Sequence, residues 1–265
     1  MFKFEDNKCY GMPCFFGGSE YDRAAELYYH DAVGLSFAYA TDGDQLANYL
    51  PEGFELIRPE LNVSYSQNRE VDWMAGSGYN LVQVSVPARF SGQRDRVEGE
   101  FVLVIWENKT APILGGREQT GMPKIYAEIE DLHIYQQNYF TNASYEGNTF
   151  LRMELTGVQS VDEEKTAQTT ATNMELSPFG WRYIPKVGGP GAELSQPILY
   201  PQRMEVKSVS AGCGTIQWTE LKPEQNPDQW RIIRALAGLP IIQMVRATLA
   251  KGVLVLKPAQ ARVLE

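Results

Sequence analysis

Runs of β-branched and aromatic residues constrain this chain most. "GEFVLVIWE" (99–107) is apolar on both faces and reads as a central strand covered on either side. "LSFAYA" (35–40), "LVQVSVPARF" (81–90), "KIYAEIE" (124–130), "TFLRMELTG" (149–157), "GWRYIP" (180–185), "QRMEVKSVSAG" (202–212) and "CGTIQWTE" (213–220) carry a similar strand signature. "SGQRDR", "ENKTAP", "YEGN" and "KVGGPG" separate them with turn chemistry. One helix stands out, "NPDQWRIIRALAGL" (226–239). Asn226 caps it, Pro227 takes its first position, and Trp230, Ile233 and Leu236 follow at helical spacing before Gly238 and Pro240 close it. Thr41 or Asp42 caps a shorter helix that ends near Pro51, and the segment after Pro240 returns to strand. The expected fold is mainly β (α+β): antiparallel strands in a closed or nearly closed β-barrel or cone with a C-terminal helix, as one domain over residues 1–265. A small-molecule cavity is expected inside such a barrel, and "SVDEEKTAQ" (160–168) is expected to be a solvated loop.

Charge and spacing remove several classes of function. The net charge of −9 argues against binding nucleic acid through a basic face and against electrostatic attachment to anionic membranes. No uninterrupted apolar stretch is long enough for a membrane span, and the N-terminus does not read as a signal peptide, so a cytoplasmic protein is expected. Cys9, Cys14 and Cys213 are odd in number and irregular in spacing, which is no disulfide framework. His30 and His133 lie far apart and have no ligand partner at helical spacing, so no metal is expected. No cofactor motif is read either, because "GGSEYDR" and "GGPGAE" lack the strand–loop–helix setting of a phosphate cradle.

"LGGREQTGMPKIYAEI" (114–129) holds the chemistry-bearing candidate. Lys124 follows a proline at the mouth of an apolar run. It is either a solvated surface charge or an amine held in an apolar pocket. Pro123 confines Met122 to extended backbone, the glycines at 115, 116 and 121 permit tight bends, and Met122, Ile125 and Ile129 are available to desolvate an amine.

"GGREQTGMPK" resembles the Gly-Arg-Glu…Pro-Lys signature of the acetoacetate decarboxylase superfamily. "YATDGDQLANYLPEGFEL" (39–56), "GYN" (78–80), "VPARF" (86–90), "LSPFGWRYIPKVGG" (176–189) and "LAGLPIIQMVRATLAKGVLVL" (236–256) are similar to further segments of that family, in family order. The resemblance implies that Lys124 is a Schiff-base nucleophile acting on a small oxo acid, in a homo-oligomeric lyase. Such an amine must lose its proton to attack, because at its ordinary pKa of about 10.4 it is ammonium at pH 7. Burial or a neighbouring cation lowers it. The chain departs from the decarboxylases at four places. Ile125 stands where they have a second lysine, Leu81 where they have a catalytic glutamate, a residue near Ser64 where they have another pocket glutamate, and a residue near Ala32 where they have an arginine. Aldolase or dehydratase chemistry on 2-oxo acids is therefore expected over simple acetoacetate decarboxylation. The alternatives are a true decarboxylase and a non-catalytic barrel that binds a carboxylate or apolar ligand.

Candidate substrate contacts surround Lys124. Arg117 and Glu118 either brace the turn or, for Arg117, grip a substrate carboxylate. Tyr79, Gln83 and Gln119 either bond substrate or are satisfied polar groups of the sheet, and Leu81 and Met122 supply apolar wall. With the family glutamate gone, one of these polar groups, or Glu70 or Glu100, would have to move protons.

Overall fold

The computed structural model describes residues 1–22, 24–160 and 173–265, so most of the expected 160–168 loop lies outside the described residues. The strands in chain order are β1 (Lys8–Cys9), β2 (Ser19–Glu20), β3 (Leu27–Ala40), β4 (Phe54–Leu56), β5 (Glu60–Val71), β6 (Tyr79–Ser91), β7 (Arg96–Glu107), β8 (Lys124–Tyr126), β9 (Glu128–Ile129), β10 (His133–Tyr135), β11 (Asn138–Tyr145), β12 (Asn148–Ser160), β13 (Asn173–Leu176), β14 (Pro178–Pro185), β15 (Ala192–Leu199), β16 (Gln202–Trp218), β17 (Gln243–Leu256) and β18 (Arg262–Val263). Among the described residues three α-helices join them: α1 (Gly43–Ala47), α2 (Thr110–Thr120) and α3 (Trp230–Ala237).

Most strands form one mixed sheet, ordered β10-β11-β12-β16-β17-β3-β5-β6-β7-β14-β15-β18. Neighbours pair antiparallel except β14 and β8, which both run parallel to β7. The sheet is not closed. Residues 124–129 span its two arms, since β8 pairs with β7 and β9 with β11, but no single strand among the described residues pairs with both arms. The closed barrel read from the sequence is thus not made by a continuous ladder. The two strands expected at 202–212 and 213–220 are one long strand, β16, and β5 is a strand that the pattern of apolar runs did not single out.

One face of the central strands is filled. Val82, Val84 and Val86 of β6 join Phe101, Val104 and Trp106 of β7 in a cluster that also takes in Ile233 and Leu236 of α3. Helix α3 begins at Trp230, later than expected. Asn226 accepts from the Gln229 N–H (3.1 Å) in the turn before it. Gln229 then ties that start to the sheet, accepting from Trp106 Nε1 (2.9 Å) and donating to the Tyr126 carbonyl (2.7 Å).

The β6–β7 ladder contains a bulge. Val84 pairs with Val104 and Ser85 with Val102, which leaves Leu103 without a partner. The bulge resets the alternation of β7. Glu100 and Val102 face away from the filled cluster, Val104 and Trp106 face into it, and Ile105 and Glu107 face away again. The apolar cluster occupies the place where a barrel cavity was expected, so the open space near Lys124 lies against the opposite face of the sheet.

Helix α2 is the element that covers it. "ENKTAP" was expected to be a turn, yet Thr110 already begins the helix. Pro112 is tolerated because it falls in the first turn, where its missing N–H has no partner to lose. Gly121, at φ 66°, ends the helix in the left-handed conformation that glycine adopts without a Cβ clash. Met122 N–H then returns to the Gly116 carbonyl at 3.0 Å, and the chain turns into β8.

Candidate active site

Lys124 opens β8, pairing with Ile105 of β7 beneath α2. It is 9% exposed. Its Nζ donates to the Pro112 carbonyl of α2 at 3.2 Å and stands 2.8 Å from Glu107 Oε1. Gly116 makes room for this path, because a Cβ there would come within 2.9 Å of Nζ and closer still to Cδ and Cε. The second glycine of the pair therefore serves the lysine's passage under the helix, while a Cβ at Gly115 would meet open space.

Glu107 is fully buried, and no other polar group among the described residues reaches its carboxylate. Burial pushes its pKa above the usual carboxylate range, while the Lys124 charge opposes that rise. The ladder sets Glu107 directly opposite Leu81. A carboxylate thus occupies the site beside the leucine that replaced the expected one, displaced by a single strand. Sequence reasoning passed over Glu107. Its only signal was a charged letter ending an otherwise apolar run, which reads equally well as a strand boundary.

A cavity of about 450 Å³ opens in front of Lys124, walled by Tyr29, Trp73, Pro112, Gly116, Tyr200 and Leu256 among others. Lys124 is the one charged side chain among its described lining residues. Burial raises the phenol pKa values of Tyr29 and Tyr200, which keeps both as neutral hydrogen-bonding groups. An outer chamber of about 850 Å³ adjoins it, sharing Ser19, Leu27, Gln119, Thr120 and Pro258. Residues of the N-terminal segment such as Tyr10 and Met12 line that chamber.

The expected contacts divide. Gln119 is exposed and lines both spaces, whereas Glu118 faces only the outer chamber. Arg117 turns away, and its Nη1 donates to the Lys124 carbonyl at 2.9 Å. It braces the backbone of β8, the first of the two roles weighed for it, and does not line the inner cavity. Tyr79 is buried behind Tyr29, with its hydroxyl 3.2 Å from the Tyr29 hydroxyl. Leu81 and Met122 pack with Val102, Ile105 and Tyr200 as supporting wall. Gln83 lies one pair further along, between Ser64 and Ile105, and does not line the cavity. Glu70 is exposed, and Glu100 sits at the other end of β7, bonded to Asn62 and Ser85. Neither reaches Lys124. Tyr29, Trp73 and Tyr200 were not anticipated, since they come from three separate segments that only the fold brings together.

A mainly β fold with a buried lysine–carboxylate pair under a Gly-Arg-Glu helix defines the class. Residues 11–257 match the family described as Acetoacetate decarboxylase (ADC), and the chain belongs to that family. It is 26% identical over 220 residues to the acetoacetate decarboxylase of Burkholderia ambifaria (strain MC40-6), covering 82% of this chain and 80% of that one. In fold it is similar to the acetoacetate decarboxylase of Legionella pneumophila, with a TM-score of 0.72, 20% identity and coverage of 94% and 92%. The enduracididine biosynthesis enzyme MppR complexed with pyruvate has a TM-score of 0.71 at 13% identity, with coverage of 98% and 99%. No helix among the described residues is long and apolar enough to cross a membrane.

Proposed function

We propose that this protein is a Schiff-base-forming lyase acting on small oxo acids, with Lys124 as the nucleophile. The observation that carries the reading is the Lys124 amine, buried at the end of a cavity and within 2.8 Å of a carboxylate able to take its proton. A Lys124 ammonium passes one proton to Glu107, and the freed amine forms a C–N bond to the substrate carbonyl carbon. An N–H proton moves to the carbonyl oxygen, and Glu107 returns its own proton as that oxygen leaves as water. The product is a protonated imine beside an ionised Glu107, so charge is conserved at both ends. The imine draws electrons from the bond β to it. Loss of CO2 makes the enzyme a decarboxylase, and cleavage or formation of a bond to an aldehyde makes it an aldolase.

Leu81 and Ile125 favour the second outcome. The first takes the place of a catalytic glutamate in the decarboxylases and the second that of their second lysine. A relative of the same fold, MppR, is recorded in complex with pyruvate, a 2-oxo acid. A second reading has one observation in its favour. Glu107 at 2.8 Å also suits a permanent ammonium, in which case the cavity holds a carboxylate ligand without reacting.

Borohydride reduction in the presence of pyruvate or acetoacetate, followed by mass spectrometry, separates these readings. The expected result is a reduced adduct on the peptide carrying Lys124. An unmodified Lys124 with both acids would sink the lyase reading in favour of the binder. Release of CO2 from acetoacetate at a rate matching adduct formation would assign the decarboxylase branch instead.

A further inference from the structure

Tyr29, Trp73 and Tyr79 share hydrogen bonds in a way that leaves one hydrogen over. Trp73 Nε1 donates to the Tyr29 hydroxyl oxygen at 3.1 Å, and an indole N–H has no other option. The Tyr79 hydroxyl is 3.2 Å from the same oxygen. Tyr79 is enclosed at 3% exposure, and Tyr29 is its one side-chain partner among the described residues. A buried hydroxyl satisfies its hydrogen by donating, so Tyr79 donates and Tyr29 accepts. The Tyr29 oxygen then accepts twice, which uses both of its lone pairs. Its own hydrogen has no acceptor within the protein among the described residues. Of the two tyrosines, Tyr29 is the one that lines the cavity with Lys124.

The cavity also lacks a group that its chemistry requires. An oxo acid brings a carboxylate as well as a carbonyl. The arginine of the Gly-Arg-Glu helix is turned to the backbone, and a residue near Ala32 replaces the other expected arginine. Lys124 is consumed in the imine, and no other charged side chain lines the inner cavity among the described residues. A neutral phenol that keeps its proton suits an oxygen that persists through the reaction, as the substrate carboxylate does.

We propose that the Tyr29 hydroxyl is a preset donor to the substrate carboxylate, held in aim by Trp73 and Tyr79, and that the protein therefore selects oxo acids over simple ketones. This rests on the lyase reading for the fate of the carbonyl, but the carboxylate contact is measurable without it.

The test is Tyr29→Phe, compared with wild type in borohydride trapping of pyruvate and of acetone, which lacks the carboxylate. Pyruvate trapping is expected to fall about tenfold or more, the scale of a hydrogen bond to a charged group, with acetone trapping changed less than about twofold. Equal losses for both ketones, or no loss for pyruvate, overturn the proposal. Tyr79→Phe removes one of the two donors that aim the Tyr29 hydrogen, so pyruvate trapping is expected to fall less than in Tyr29→Phe, with acetone trapping again changed less than about twofold. A loss in Tyr79→Phe that is equal for pyruvate and acetone would reduce the pair to wall structure and also overturn the proposal. Calorimetric binding of pyruvate without borohydride keeps the two ideas apart. If wild type binds pyruvate but traps neither ketone, the lyase reading falls, while about tenfold weaker binding in Tyr29→Phe still supports the donor. Unchanged binding in that variant overturns the donor alone, and a wild type that neither traps nor binds pyruvate overturns both.

Discussion

Strand β7 carries two carboxylates on the face turned from the apolar cluster, Glu100 half-buried in its first half and Glu107 buried at its end, and the two are supported differently. Glu100 accepts from Asn62 Nδ2 at 2.7 Å and from Ser85 Oγ at 3.1 Å. Glu107 has Lys124 alone, at 2.8 Å. Burial pushes both pKa values up. At Glu100 two neutral donors chiefly oppose the rise, with the more distant Arg58 and Arg246 charges behind them, and at Glu107 the adjacent charge of Lys124 does. Neutral donors tolerate either protonation state of Glu100. Glu107 faces one full charge at 2.8 Å, so its protonation state decides whether that charge is balanced. The same residue type on the same strand is held by neutral donors at one place and by a charge at the other, and the partner decides what each can do.

The largest expected effect comes from breaking the charged end. Lys124→Met strands a buried carboxylate and should cost about 3–5 kcal/mol at neutral pH in urea denaturation. Glu107 then keeps a folded pKa above its unfolded one, so the loss is full above that folded value and eases as pH falls through it. Adding Glu107→Leu should recover most of the stability, and if it does not, the pair is not what holds this end of the sheet. Next comes Gly116→Ala. Within a helix the change alone would add about 1 kcal/mol of stability. The new Cβ must displace the Lys124 side chain, so imine trapping should drop at least about tenfold, and the weakened Glu107 contact should outweigh the helix gain and lower the thermal midpoint, by less than in Lys124→Met. The smallest effect sharpens the neutral end. Glu100→Gln keeps an acceptor for Asn62 and should change stability by less than about 1 kcal/mol. Glu100 contributes stability that is fully present below its unfolded pKa of about 4.3 and is lost as pH rises through its higher folded value. The glutamine variant should therefore show a flatter stability profile above about pH 4, and an unchanged slope would mean that Glu100 is not the group titrating.

Sequence patterning carried most strands and singled out Lys124 from local signals, for a physical reason. Strand runs such as 81–90 and 99–107 are dictated by local alternation, and Pro123-Lys124 is a local motif. Helix α2 was hidden because Pro112, Gly115 and Gly116 all argue against a helix locally, while the sheet beneath and the need for space around Lys124 override them. Glu107 was hidden because its importance depends on strand register, which sets it opposite Leu81. Tyr29 and Trp73 were hidden because β3 and the turn after β5 meet only in the folded sheet. Arg117 was legible as an alternative between bracing and binding, and the direction of its guanidinium could only come from coordinates.

The unpaired Leu103 is a spare residue in the strand that carries Glu107. Removing it would restore unbroken alternation while leaving Val104 and Trp106 on the cluster face and Glu107 on the face of Lys124. An added residue between Val104 and Glu107 has no such slack, since it would turn Glu107 into the apolar cluster with no letter of the site changed. A gene tolerant of an in-frame loss of the Leu103 codon would still be intolerant of a single codon gained beyond it.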